Sequence, residues 1–456
     1  MRQSRKIARD ARAAAKEGPA GIERRQRQRL RELVAYARAH SPHFRDLYRA
    51  LPDGIDDITA LPVTSKRPLM VAFDDWVTDP AITRAEVEAF VADPALAGHR
   101  FLDEYLVTTT SGTSGVRGLF VQDERSAGME AALSSRAAGM TSFGGTVRMI
   151  LRRGRTAIVT APGGHFSTIA TAARFRLDHP RLGRAMRVFS ARMPLPALVN
   201  QLNQFHPAVL SGFLGMLTLL AAEQEAARLH ISPVLVVPGG ETLTPELEQR
   251  LTTVFHAPVR AAYAATECSF LAVGCREGWY HVNSDWAILE PVEADLTPTP
   301  PGRPSHTTLL TNLASRTQPI IRYDLDDSVA QRADVCPCGS PFPAIRVQGR
   351  AADLLTFPAD AQRTATLSPM LLGTLLDAIP GVAQFQLVQD SPTTLRLRLL
   401  VNDGDDGEQV WLRAHAALAR LLAVNGMPWV TVVRADEPPQ PEPGGKFRRV
   451  IPLPAP

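Results

Sequence analysis

The sequence predicts an α/β protein. It reads as a large N-terminal domain with doubly wound sheets and a β-rich part, plus a small C-terminal α+β domain. Three observations predict this. Between 156 and 263, short apolar runs alternate with helical patterns. From about 279 to 348 the helical period fades and strand-like runs dominate. Beyond Arg350 the alternation restarts on a smaller scale. Short apolar strands between helices are the mark of a parallel sheet covered on both faces.

The chain has 456 residues, 45% of them hydrophobic, enough for a large core and two or more domains. It lacks an apolar run of about 18 residues, so no membrane-spanning helix is expected. The first residues, MRQSRKIARDARAAAKEG, hold no apolar segment of signal-peptide length, and a cytoplasmic protein is expected. Residues 1–38 carry 12 Lys/Arg against 4 Asp/Glu, a net of +8, while the remainder is net −4. The basicity belongs to an N-terminal arm and not to the body, which argues against a nucleic-acid binder. The arm reads as a solvated helix or as a contact for an acidic partner or membrane surface.

In chain order, 20–50 reads as helix from Leu30, Leu33, Val34, Ala37, Phe44 and Leu47. A turn-rich stretch, Leu61 to Lys66, precedes another helix. Tyr105-Leu106-Val107 reads as a strand running into a Ser/Thr/Gly loop, and 123–140 as a helix. The alternating part gives strands at 156–160, 185–189, 208–213, 234–238 and 259–263. Helices fall at 168–175, 195–205, 214–229 and 245–255. Ligands of such sheets bind beyond the carboxyl ends of strands, where Gly239-Gly240-Glu241 and the 264–267 loop fall. Strands at 286–289, 307–311, 320–323 and 344–347 make the β-rich part. The C-terminal unit reads as helix 368–379, strands 382–388 and 395–401, helix 408–423, strand 429–434 and a Pro/Gly-rich tail.

The loop after Val107 contains Thr108, Thr109, Thr110, Ser111, Gly112, Thr113, Ser114 and Gly115. Small residues let backbone N–H groups approach an anion, and hydroxyls add donors, which is the chemistry of a phosphate clamp. A flexible surface loop has the same composition. It is not a Walker loop, because no Gly-Lys-Ser/Thr follows.

All four cysteines lie in one region: Cys268, Cys275, Cys336 and Cys338. In a reducing compartment such clustering suggests metal rather than disulfides. Cys275-x5-His281 and Cys336-x-Cys338 are spaced like two halves of a zinc site. Three thiolates and an imidazole fill a tetrahedral structural site, with Cys268 a competing fourth ligand.

Further short motifs follow in order: Tyr263-Ala264-Ala265-Thr266-Glu267, Ile321-Arg322-Tyr323-Asp324-Leu325-Asp326-Asp327, Gly349-Arg350, and Pro443-Gly444-Gly445-Lys446-Phe447-Arg448-Arg449-Val450. Together with the TSGTSG loop, this order resembles the adenylate-forming (acyl/aryl-CoA synthetase) superfamily over roughly 25 to 456. Within it the chain looks most like the phenylacetate–CoA ligase branch and the subgroup related to synthetases that adenylate a deazaflavin coenzyme. The runs YAATECSFLAVGCREGWYHVNSDWAILEPV (263–292) and CPCGSPFPAIRVQGR (336–350) carry that finer likeness.

The resemblance implies a two-step reaction: a carboxylate attacks the α-phosphate of ATP, and a thiol then displaces AMP. It implies that Thr110, Ser111, Gly112, Thr113, Ser114 and Gly115 hold the β/γ-phosphates. Glu267 would ligate magnesium and Thr266 meet the α-phosphate. Tyr263 would stack on adenine, Gly240 and Glu241 border the nucleotide, and Asp327 hold the ribose hydroxyls. Arg350 would add a ribose or phosphate contact, and Lys446 would bridge the substrate carboxylate and phosphate. For the acyl pocket the candidates are His165, Phe166, Ser211, Gly212, Phe213, Gly239 and Ala262, with the two phenylalanines placed to sandwich a flat ring.

The chain departs from the family pattern at three places: Val116-Arg117 follow the loop where a Lys is usual, Ala264 replaces a Gly, and Ala352 replaces an acidic hinge residue, leaving Asp353 beside it. The expected organisation is a basic arm at 1–24, an adenylation domain at 25–348 with acyl and ATP sites and the zinc knuckle, a hinge at 349–353 and a mobile C-terminal domain at 354–456. The expected activity is that of an AMP-forming ligase, monomeric or homodimeric, acting on an aromatic acid with ATP and magnesium. Coenzyme A or an acyl carrier protein would accept the acyl group. Alternatives are adenylation of a cofactor without a thioester, and a nucleotide-binding homologue without turnover.

Overall fold

In a computed structural model of the chain, residues 2–55, 57–110, 117–138, 143–160, 164–191, 193–241, 243–350, 355–358, 364–367, 369–441 and 447–453 are described. Their contacts define two compact units. One holds 1–142, 163–186 and 262–346; the other holds 143–162, 187–261 and 347–456.

The alternating stretch builds the sheet of the second unit. Its strands run in the order Met186–Ser190, Thr156–Thr160, Val209–Phe213, Leu235–Gly239. The last three pair in parallel. Helices Leu195–Phe205, Leu214–Glu225 and Pro245–Phe255 recur with apolar residues three and four apart. Leu198, Leu202, Phe205, Leu217, Leu220, Leu247, Leu251 and Phe255 meet Ala157, Val159, Leu210 and Val236 in one core. The strand expected at 259–263 is corrected. Val259 makes only an isolated parallel bridge to Val236, and Pro258 before it has no N–H to extend the ladder. From Ala262 the chain pairs antiparallel with Cys268–Gly274 instead.

The same unit contains a second core. Strands run in the order Thr431–Arg434, Thr394–Val401, Val382–Ser391, Val450–Ile451. Alternation along LRLRLLV buries Leu395 and Leu397, which meet Phe385, Leu387, Leu372 and Leu376, and Val410, Ala414 and Leu418 of helix Gly407–Val424.

In the first unit the sheets are antiparallel, as the fading helical period predicts. Arg100–Phe101, Tyr105–Thr109 and Leu119–Gln122 form one; Ala287–Val292, Thr307–Asn312 and Tyr323–Asp324 another. The strand expected over 320–323 begins only at Tyr323, because Arg322 adopts a φ of 45° that breaks an extended run.

The basic arm is not a free solvated helix. Helix Arg2–His40 breaks at Gly18, with φ 71° ahead of Pro19. Asp10 pairs with Arg25 at 2.9 Å and with Arg29, 15 and 19 residues further on. On one straight helix those residues would stand roughly 22–28 Å apart. The two halves therefore fold back as a helical hairpin. Ile7 packs with Met129, Leu133 and Trp286, and the Arg29 guanidinium lies 3.5 Å from the Trp286 ring centroid. Fully buried Asp285 accepts from Arg136 at 2.8 and 2.7 Å, and Arg136 also donates to the Ala11 carbonyl at 2.7 Å. Among the described residues, no helix is long and apolar enough to cross a membrane.

Removing one partner of a buried ion pair leaves a charge without compensation, at about 3–5 kcal/mol. Asp285→Ala is therefore expected to lower unfolding stability by about that amount in denaturant titration, while Asp53→Ala, whose side chain is almost fully exposed in its pair with Arg38, changes it by under about 1 kcal/mol.

Candidate active site

The strands on either side of the Ser/Thr/Gly run pair with each other. Strand Tyr105–Thr109 pairs with Leu119–Gln122. The Thr110 N–H donates to the Gly118 carbonyl at 3.1 Å, and Thr110 Oγ1 accepts from the Gly118 N–H at 2.7 Å. Arg117 Nη2 donates to Thr109 Oγ1 at 3.3 Å. The feet of the loop are thus fixed. Ser111, Gly112, Thr113, Ser114, Gly115 and Val116 lie outside the described residues, as do Lys446 and the hinge positions 351–353.

A hairpin carries Thr266 and Glu267 as its two-residue turn, between Ala265 and its partner Cys268. Glu267 is buried. Its Oε1 accepts from the Tyr323 hydroxyl at 2.8 Å, and its carbonyl accepts from Asn312 Nδ2 at 2.9 Å. One carboxylate oxygen is anchored and Oε2 meets no partner among the described residues. The Tyr263 hydroxyl donates to Asp327 Oδ2 at 2.7 Å. Tyr263 and Asp327 sit on the two edge strands of a five-stranded sheet, ordered Asp327–Gln331, Ala344–Arg350, Tyr280–Val282, Cys268–Gly274, Ala262–Ala265. In a flat sheet those edges would be about 19 Å apart. The bond forms because the sheet curls strongly on itself. Tyr263, Thr266, Glu267 and Asp327 are thereby gathered around one hairpin.

Other candidates lie at strand ends of the second unit. Phe213 pairs with Gly239 across parallel neighbours. Gly240 has φ 78°, and a Cβ there would stand 2.9 Å from the Phe213 ring, so the turn needs glycine on both counts. Glu241 Oε2 accepts from the Gly215 N–H at 3.0 Å, in the first turn of helix Leu214–Glu225, where a carboxylate suits the helix dipole. Ser211 and Gly212 are half-buried on strand Val209–Phe213. Arg350 ends strand Ala344–Arg350, half-buried. In the first unit, Ala262 pairs with Val273. Phe166 precedes helix Ser167–Asp178. His165 is fully buried, with Nε2 3.0 Å from the Asp93 carbonyl and its ring 5.3 Å from Phe90. Its ring is engaged in packing against 90–93.

The ligating atoms of Cys275, His281, Cys336 and Cys338 all lie within 4.8 Å of one another. The Cys275 and Cys336 sulfurs are 3.8 Å apart, close to the edge of a tetrahedron with metal–sulfur bonds of about 2.3 Å. His281 Nδ1 is 2.9 Å from the Phe342 carbonyl, which orients Nε2 toward Cys338 Sγ at 3.1 Å. Cys268 is not in this group. It is buried beside Glu130, and burial pushes its thiol far up.

Sequence reasoning missed Tyr323 as the anchor of Glu267, although the quoted IRYDLDD run contains it. It also missed Glu130 on helix Glu124–Ala138. Gln122 Nε2 donates to that carboxyl at 3.2 Å, and burial raises its pKa to about 7.

The parallel sheet, the antiparallel sheets and the C-terminal α+β part together share the fold of several solved structures. Among solved structures, 2-hydroxyisobutyryl-CoA ligase in the postadenylation state, in complex with 2-HIB-AMP, matches 96% of this chain and 90% of its own, with TM-score 0.68 and 19% identity. The same ligase in the thioesterification state, with 2-HIB-AMP and CoA, gives TM-score 0.55 at 19% identity, over 95% and 90%. Anthranilate CoA ligase AuaEII, with anthranoyl-AMP, gives 0.53 at 13% identity, over 76% and 66%. Among curated proteins the chain is similar to Protein CapK of Staphylococcus aureus, 23% identical over 216 residues, 45% of this chain and 45% of that protein's length. No family model matches the chain.

An unfolded glutamate titrates near about 4.3. The buried Glu130 carboxyl holds its proton up to about 7. Its favourable contribution is complete at low pH and is lost as pH rises through that value. The melting temperature of the wild type should therefore fall relative to Glu130→Gln between about pH 5 and pH 8. Parallel pH profiles of the two proteins would show that Glu130 is not the titrating group.

Proposed function

We propose that the protein is an AMP-forming ligase that activates a carboxylic acid, of aromatic class, as an acyl-adenylate and passes it to a thiol. The observation that carries this reading is the pair of bonds Tyr263–Asp327 and Glu267–Tyr323 around one hairpin. They hold a flat ring, a ribose-type carboxylate acceptor and a cation-type carboxylate in fixed relation. The resemblance assigns those three residues to one nucleotide.

In the first step the acid's carboxylate oxygen attacks the α-phosphorus and pyrophosphate leaves. This displacement needs charge neutralisation and in-line positioning, not a strong base. Magnesium would supply charge neutralisation on the phosphates, held by the Glu267 carboxylate. Thr266 sits beside it for the α-phosphate. The loop from Thr110 to Gly115 would cradle the β/γ-phosphates, and Lys446 would offset the charge growing at the reacting oxygens. In the second step a thiolate attacks the acyl carbon and AMP leaves. Coenzyme A and a carrier-protein pantetheine present the same thiol. The flat Phe213 ring at a strand end supports an aromatic acid.

The wild type should release pyrophosphate from ATP and magnesium with one class of acid and no thiol. Glu267→Gln and Lys446→Ala should each lower that rate by about 100-fold or more. Pyrophosphate release that is indifferent to both changes would overturn the site assignment. A stable adenylylated cofactor formed without any thiol would favour cofactor adenylation instead.

The Cys275, His281, Cys336 and Cys338 cluster fits zinc in a closed, structural role. Protein purified without chelator should carry about one zinc per chain, and stripping it should lower the melting temperature. Metal-free protein of unchanged stability would contradict the assignment.

A further inference from the structure

The turn-rich stretch at 61–66 has no part in the reaction described above, yet it is sewn to the 321–327 run within the first unit. Thr64 is buried, and its backbone bridges in parallel to Tyr323. The Thr64 N–H donates to the Arg322 carbonyl, and the Asp324 N–H donates to the Thr64 carbonyl, both at 2.9 Å. Thr64 Oγ1 donates to the Ile321 carbonyl, also at 2.9 Å. The Arg322 side chain returns the grip. Its Nη1 donates to the Leu61 carbonyl at 2.6 Å and to the Thr59 carbonyl at 3.1 Å, and its Nη2 pairs with Glu290 at 3.0 Å. On the other side, the Arg322 N–H donates to Thr311 Oγ1 at 2.9 Å, and Tyr323 pairs with Leu310.

This grip holds a backbone that would not keep its shape alone. Arg322 has a φ of 45°, a left-handed conformation that a residue with a side chain adopts only where its surroundings impose it. A left-handed residue just before Tyr323 fixes the direction in which that short strand starts. The Tyr323 ring is buried and turns about only two side-chain torsions, so a clamped backbone gives a clamped hydroxyl. That hydroxyl is the group that donates to Glu267 Oε1 at 2.8 Å. Bonds at 59–64 are thereby carried to a carboxylate about 200 residues further along the chain.

We propose that the 59–64 turn, acting through Thr64 and Arg322 on Tyr323, is the positioning element of the Glu267 carboxylate for cation-dependent ATP binding. The inference rests on the ligase reading above, which gives Glu267 to magnesium, a hard cation that takes oxygen ligands. Thr64 and Tyr323 act through Glu267 and touch no reacting atom. A carboxylate that loses such a partner keeps its charge but not its orientation. Partners of this kind are worth about 10- to 100-fold in metal affinity. Loss of the Tyr323 hydroxyl should therefore appear in the magnesium requirement and not in the affinity for the acid.

The test compares wild type, Tyr323→Phe, Thr64→Val, Glu267→Gln and the double variant Tyr323→Phe with Glu267→Gln, each confirmed as folded by its melting curve. Calorimetry reads ATP affinity with and without magnesium, and acid-dependent pyrophosphate release reads the KM for the acid. Tyr323→Phe should weaken ATP binding in magnesium about tenfold, and leave binding without magnesium and the KM for the acid within about twofold. Thr64→Val, which removes only the Oγ1 bond, should act in the same direction by about threefold, and it carries the test alone if Tyr323→Phe does not fold. In the Glu267→Gln background, Tyr323→Phe should change ATP affinity in magnesium by less than about twofold, because the hydroxyl acts only through that carboxylate. Equal weakening with and without magnesium, additive effects of the two substitutions, or no weakening in either Tyr323→Phe or Thr64→Val would overturn the positioning role. Wild-type ATP binding that is indifferent to magnesium would instead overturn the assignment of Glu267 in the ligase reading, and the positioning role with it.

Discussion

The arrangement depends first on the curl of the five-stranded sheet. Its edge strands start at Ala262 and at Asp327, far apart in sequence, and the Tyr263–Asp327 bond joins them. The Thr266-Glu267 turn is then held by Tyr323 and Asn312, which donate to the Glu267 carboxylate and carbonyl. The strand that carries His281 lies in the middle of the same sheet, paired to both Ala344–Arg350 and Cys268–Gly274. The cysteine–histidine cluster thus lies on the same curled sheet as the nucleotide candidates.

Charge is handled locally throughout. The N-terminal residues are basic, yet Asp10 and Glu17 answer Arg25, Asp10 also answers Arg29, and Asp285 receives Arg136. Arg322, buried beneath the motif that contains it, pairs with Glu290 at 3.0 Å and donates to the Leu61 carbonyl at 2.6 Å. That arginine holds the motif's backbone in a left-handed turn rather than serving as a surface charge. Glu130 differs: no cation pairs with it among the described residues, and burial raises its pKa to about 7.

Much of this was legible in the sequence where local rules decide. Helices Leu195–Phe205 and Pro245–Phe255 have the bounds that apolar spacing, a proline near the start and the Thr244 cap imply. The cysteine spacing named the metal-type cluster, and distance separated His281 from Cys268 as its fourth member. Less legible were features that depend on long-range contact. Gly18-Pro19 marks a break, but only the pairing of Asp10 with Arg25 and Arg29 shows that the arm folds back. Tyr323 reads as an ordinary strand residue until Glu267 arrives from 56 residues away. Asp377 has no motif of its own, and only the structure joins it to Thr244 and Arg449, 133 and 72 residues distant.

The central claim is that the chain cuts ATP between its α- and β-phosphates to activate an acid. Phosphorus NMR of the products formed from ATP, magnesium, a responsive acid and a thiol tests it most directly. The account predicts AMP and pyrophosphate in equal amounts, matched by thioester. ADP and inorganic phosphate would place the cut at the γ-phosphate and contradict it.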